Sequence, residues 1–368
     1  MDNILTKPVS MLELFYDLVF VYMISRATDL IHHLDQGVVN ITNFLIFAVV
    51  IIVFINSWMV QTVYTNRYGQ SSWTDVIFTF TDMMIVLYLS NSFNKWQNHQ
   101  RFFLAASLLS FTLCLQYLIT YRKSNQLDDR KIATIFSLIL GFRTISLLLG
   151  GLIPTISGVY IALIGTLISW IAPGLTGTYT KKHPIIFSHL LERLTLLIII
   201  TFGETIVGIA PYFTPEHFSI WSILIFMIVA NLFFTYITEF DHLIETQRPN
   251  ETGNLLIYLH YLILFGISLI TVALHFIDDR IANKLFATIY LYSGLLLFYS
   301  GIIIASYYNR LQFKLTKSTA IGVFAIVGCG LVIILSKPNM MMLTVTSALV
   351  TSLVTALVLK KLIKRNAH

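Results

Sequence analysis

The chain has 368 residues, 56% of them hydrophobic, 14% aromatic and only 11% charged. A soluble globular domain is nearer a quarter charged, so this composition excludes one and points to an all-α polytopic integral membrane protein. The net charge of +6 is scattered over short loops, so no nucleic-acid face is expected; Cys114 and Cys329 lie in apolar runs and offer neither a disulfide framework nor a metal site.

About twelve apolar stretches approach the roughly 20 residues needed to cross a bilayer. The first, 10–32, contains ELFYDLVFVYMISRATDL and with it four charges, Glu13, Asp17, Arg26 and Asp29. The arrangement before it lacks the features of a cleavable leader. The second, 41–64, runs into YTNRY at 64–68; Arg67 there is either a loop cation or a partner for the acidic pair of the first span. The third, 74–93, carries Asp75 at its edge and Asp82 deeper, and 102–120 forms the fourth. The fifth, 132–150, holds Arg143, which needs a carboxylate or carbonyl partner. It nearly fuses with the sixth, 152–171, around Gly150, Gly151 and Pro154, so the two are either full spans or one re-entrant hairpin.

The seventh stretch, 186–210, is the second charged one. SHLLERLTLLIIITFGETIVGI places His189, Glu192 and Arg193 close together and Glu204 about 18 Å further along a helix. Gly203 is expected to admit a second helix at close range. Stretches 217–240, 254–277, 283–306, 319–336 and 340–360 complete the set, and His260, between Tyr258 and Tyr261, is placed as a hydrogen-bonded core histidine or a ligand.

A charged residue at the centre of a spanning helix costs about 2.5–3.5 kcal/mol on insertion scales, whereas one Leu, Ile, Phe or Val returns about 0.3–0.6 kcal/mol. Such charges persist when they face the bundle interior and find partners. Glu13 and Asp17 lie one helical turn apart on one face, Arg26 and Asp29 together on roughly the opposite face. The complementary pairs expected are Arg193 with Glu13 or Asp17, and Arg26 with Glu204. The candidate substrate- or ion-binding residues are therefore Glu13, Asp17, Arg26, Asp82, Arg143, His189, Glu192, Arg193, Glu204 and His260.

Loop cations set orientation. With the N-terminus in the cytoplasm, 16 Lys and Arg residues fall inside and five outside: Lys95, Arg101, Arg280, Lys284 and Lys337. Both termini are expected to be cytoplasmic. A weak internal repeat aligns LLERLTLLIIITFGETIVGI with MLELFYDLVFVYMISRATDL, Glu13 and Glu192 being 179 residues apart. It suggests six-helix halves, 1–178 and 179–368, in parallel orientation; the third and ninth spans then overlay, with Asp82 near His260.

His189 and Glu192 form a His-x-x-Glu pair able to ligate metal from one helix, but the second pair such a site needs is missing, so no metal is expected. No phosphate-binding loop, dinucleotide fingerprint or nucleophile motif occurs, and the sequence names no cofactor.

ELFYDLVFVYMI and SHLLERLTLLIIITFGETIVGI together resemble the signatures of the bacterial low-temperature-requirement protein A (LtrA) family. Glu13, Asp17, His189, Glu192, Arg193, Gly203 and Glu204 match, with Leu190 where the family has Phe and Thr205 where it has Ser; YTNRY and YLHYLILFGI add Arg67 and His260. The resemblance covers nearly the whole chain. It implies a multi-pass protein of the bacterial cytoplasmic membrane, in a family named for a growth phenotype in the cold, and it implies no substrate.

The residues support three functions. One is an ion- or proton-coupled carrier of a small solute, with a charged site between the first and seventh helices. The others are a membrane-embedded enzyme or cofactor-binding protein using His189, Glu192 and Glu204, and a cation channel lined by acidic groups. The lipid bilayer is the one partner implied beyond the unknown solute; oligomeric state is left open.

Overall fold

A computed structural model of the protein describes residues 7–93, 99–277, 279 and 281–363. Lys95, Arg280, Lys364 and Arg365, four of the cations used for orientation, lie outside the described residues. Twelve helices of 18 residues or more fill the described chain: α1 Met11–His32, α2 Ile41–Tyr68, α3 Trp73–Ser90, α4 His99–Lys123, α5 Leu127–Leu152, α6 Ile156–Leu175, α7 Phe187–Ile209, α8 Ile220–Ile237, α9 Asn254–His275, α10 Lys284–Ala305, α11 Lys317–Ser336 and α12 Met340–Ile363. Each apolar stretch read from the sequence is a helix, because a chain in hydrocarbon must satisfy its backbone polar groups within one segment.

Eleven of these helices are long and apolar enough to cross a membrane. The other, α1, has 22 residues, about 33 Å at 1.5 Å per residue, and differs from them in its charges. The fifth and sixth stretches are separate helices of 26 and 20 residues, so the hairpin alternative falls away. They approach closely through small side chains: a Cβ on Gly150 would lie 2.6 Å from the Ala162 Cβ, and one on Gly165 2.2 Å from the Ser146 Cβ. Lipid offers no hydrophobic drive between helices, so close backbone packing of this kind supplies the contact energy.

The described chain forms two compact units. The first comprises residues up to Leu30, Ile41–Leu196 and Gln247–Leu255. Its core joins α2, α4 and α5 through Val60, Tyr64, Leu113, Tyr117, Ile132, Phe136 and Leu140. The second comprises Ile31–Asn40, Leu197–Thr246 and Leu256 onward. There α9 and α10 meet at Gly266 and Gly294, where a Cβ on either would come within 2.8 Å of the other's carbonyl oxygen.

Ends of helices are set by local chemistry. Ser72 caps α3 in a reciprocal box with Asp75, which places Asp75 at the helix edge as its position in the sequence suggests. Asn283 caps α10 by accepting from Leu285 N and Phe286 N. A two-residue hairpin, Leu34–Asp35 against Val38–Val39, follows α1; Gln36 and Gly37 both have positive φ, at 52° and 84°, as a type I′ turn requires. After α8 the chain widens into a π-helical turn, Thr238–Leu243, which stacks Phe240 on Tyr236 with ring centroids 4.3 Å apart.

Candidate functional site

In the first unit, α1 and the opening turns of α7 place their charges face to face. Arg193 grips Asp17 with both ends of its guanidinium, Nη1 to Oδ2 at 2.9 Å and Nη2 to Oδ1 at 2.9 Å. The pair is almost dry: Asp17 is 2% exposed and Arg193 1%. Trp58 of α2, fully buried, donates its indole N–H to Asp17 Oδ1 at 2.8 Å, and its ring lies 5.1 Å from the guanidinium carbon of Arg193. One aromatic side chain thus supplies a hydrogen bond to the anion and a π face to the cation. A bidentate fork backed by a third donor on the carboxylate is the geometry in which a buried pair can offset much of the desolvation of both ions, although Arg193 Nε has no hydrogen bond among the described residues.

One turn lower, His189 Nε2 stands 3.3 Å from Glu13 Oε1. Ser10 at the start of α1 donates to Glu13 Oε2 from both its backbone N and its Oγ, each at 2.9 Å. Asn66 of α2 sets the histidine tautomer. Its Oδ1 accepts from Ile186 N at 2.9 Å, which fixes the amide orientation. Its Nδ2 then donates to Ile186 O and to His189 Nδ1, both at 3.0 Å. With Nδ1 accepting, the ring hydrogen sits on Nε2, the nitrogen nearer Glu13, and the two side chains meet as a charge contact without a formed hydrogen bond. Lys7 closes the same end, donating from Nζ to the carbonyls of Thr65 and Gly69 at the C-terminus of α2, where a cation complements the helix dipole. Burial lowers the Lys7 pKa, while Glu13 and Asp75 pull it back upward.

Both signatures noted in the sequence therefore converge on one cluster. A family model described as Bacterial low temperature requirement A protein (LtrA) matches residues 8–358. The chain belongs to the LtrA family. No curated protein and no solved structure matches it. This LtrA protein is a multi-pass membrane protein, with its charged signatures meeting at Asp17–Arg193 and Glu13–His189.

The remaining sequence candidates fall at separate places. Glu192 lies on the exposed face of α7 and takes no part in the cluster. Arg26 pairs with Asp29 of its own helix at 2.8 Å. Glu204 of α7 is buried in the second unit. Gly203 faces open space, with nothing within 4 Å of a Cβ placed there, so the expected close approach of a helix does not occur at that residue among the described atoms. Asp82 of α3 is fully buried and accepts from Thr112 Oγ1 of α4; its Oδ2 has no protein hydrogen bond among the described residues. Arg143 of α5 finds carbonyl and hydroxyl partners on α2, donating from Nη2 to Val53 O at 3.1 Å and Ser57 Oγ at 2.8 Å. In the second unit His260 is fully buried, its Nδ1 2.6 Å from Leu256 O and its Nε2 3.1 Å from Tyr236 Oη.

Arg67 donates its Nε to His183 O at 3.0 Å rather than reaching the acidic pair, which His189 and Arg193 hold instead. Among the described residues no group of three His, Cys, Asp or Glu side chains is placed to bind a metal ion. Sequence reasoning missed Trp58, Asn66, Ser10 and Lys7. Of these only Asn66 had a visible signal, as a polar residue inside the YTNRY run closing α2; an indole facing an ion pair looks like any other core tryptophan.

Proposed function

We infer that this LtrA-family membrane protein is an ion- or proton-coupled carrier of a small solute, working through the charged site between the first and seventh helices. The observation that carries the reading is the dry Asp17–Arg193 pair. An apolar pair of similar volume would hold two helices as firmly or better, and ionisable side chains within spans are functional candidates by default. A small shift of α7 against α1 would part the fork, release the Asp17 carboxylate to take a proton or a cation, and remake the pair on return. Glu13 and His189 offer a second exchangeable pair one turn away. Asp82, Arg143, Glu204, His260 and Arg26 are further ionisable groups within the long helices that such a cycle can draw on.

The excess of loop cations on one side supports placing both termini in the cytoplasm, with the chain in the bacterial cytoplasmic membrane. The weak internal repeat supports two parallel six-helix halves, 1–178 and 179–368. The test is reconstitution of the protein into liposomes holding an entrapped pH dye, with gradients of small solutes imposed one class at a time. A carrier gives solute-dependent proton movement that is slow and saturates with concentration. Flux linear in concentration, or no proton movement with any solute or ion gradient, overturns the reading.

A further inference from the structure

Where the last turn of α2 meets the end of α4 and the start of α5, the first unit forms an open pocket of about 320 Å³, within the range of small-molecule sites. Arg67, Lys123, Asp75, Asp129, His183 and Tyr68 are among its walls. None of them belongs to the Asp17–Arg193 cluster.

Its two carboxylates are already engaged. Asp75 Oδ2 accepts from Gln70 N at 3.1 Å and from Ser72 N and Oγ at 3.0 Å each, as part of the α3 cap. Asp129 faces His183 Nδ1 and accepts from Ser124 Oγ at 3.3 Å. The cations are engaged only in part. Arg67 spends its Nε on His183 O, which orients the guanidinium, but its Nη1 is buried with no protein hydrogen bond among the described residues. Lys123 is exposed. A buried guanidinium N–H without an acceptor costs free energy unless something fills the place; a planar fork suits a carboxylate or phosphate oxygen pair, and Lys123 puts a second cation in the same lining.

We propose that this pocket binds a small oxyanion, a carboxylate or a phosphate group, held by the free edge of Arg67 and by Lys123. Asp75 and Asp129 remain committed to the Ser72 cap and to His183, so they favour a singly charged ligand over a more highly charged one. The phosphate of an anionic lipid headgroup and a free solute anion share this chemistry. The proposal stands whether or not the chain transports anything, because it concerns binding alone.

The experiment is thermal unfolding of the full chain in detergent, titrated with sodium acetate or sodium phosphate against sodium chloride at equal ionic strength. It is repeated in nanodiscs of phosphatidylcholine with and without phosphatidylglycerol. A saturable rise in the midpoint with acetate, phosphate or phosphatidylglycerol, beyond that with chloride, is expected. Arg67→Gln should raise the half-saturating concentration about ten-fold, and Lys123→Gln about two- to three-fold. Stabilisation confined to phosphatidylglycerol assigns the site to a lipid headgroup; stabilisation by the free ions assigns it to a solute. A wild-type chain indifferent to all three, or an Arg67→Gln chain that is stabilised at the same concentrations as wild type, overturns the site. Should Arg67→Gln fail to fold, an unchanged half-saturation in Lys123→Gln, a surface substitution, overturns it equally.

Discussion

At its first charged level α1 commits its carboxylates to another helix: Asp17 is held by Arg193 in a bidentate fork at 2.9 Å and both residues are almost wholly buried. At its second level Arg26 stays within its own helix, 2.8 Å from Asp29, and the two side chains are 29% and 44% exposed. Both are Arg–Asp pairs at nearly the same distance, each with its aspartate on α1, so distance does not separate them. Burial and connectivity do. The first pair fixes α1 against α7 through charges that have no other place to go, whereas the second spans a single turn where solvent or headgroups compete for both ions.

Four single substitutions and one double variant test that contrast, in order of expected effect. Arg193→Leu leaves Asp17 buried without its cation and should lower the unfolding free energy, measured in mixed detergent, by about 3–5 kcal/mol. Adding Asp17→Leu to it removes the stranded charge and should restore most of the loss; a double variant as weak as the single one would break the contrast. Next, Trp58→Phe keeps most of the ring but deletes the donor to Asp17, a hydrogen bond to a charged acceptor worth about 1.5–3 kcal/mol. Glu13→Gln retains an acceptor for Ser10 and removes the charge facing His189, for about 1 kcal/mol. Arg26→Ala should cost at most about 1 kcal/mol, less in high salt. An Arg26→Ala loss matching that of Arg193→Leu would show that the two levels are energetically alike.

Much of this was legible in the sequence, for identifiable reasons. Hydropathy finds spans because membrane helices are continuous and apolar, and it located all twelve long helices, including α5 and α6, whose short connection left their separation ambiguous. The meeting of Arg193 with the α1 carboxylates follows from charge complementarity, since two charged spans in one chain must shield each other; only three-dimensional packing decides that Asp17 takes Arg193 while Glu13 takes His189. Arg26 shows the limit of the same reasoning. Its neighbour three residues on takes one end of its guanidinium, and that competes with any longer-range partner such as Glu204. The roles of Trp58 and Asn66 depend on which face of α2 turns toward α1 and α7, information that is absent from a helix apolar over most of its circumference. Glu192, beside Arg193 in sequence, points the other way because adjacent helical residues diverge by about 100°.

Whether the Asp17–Arg193 pair is a working site or a brace is decided by flux through the Asp17→Leu, Arg193→Leu double variant. In liposomes with an entrapped pH dye, this variant and the milder Asp17→Asn are compared with wild type under the gradient that drives the fastest proton movement. The double variant is expected to fold with near wild-type stability, and coupled proton movement is expected to be lost in both. Proton movement at the wild-type rate in a folded double variant would contradict a working site.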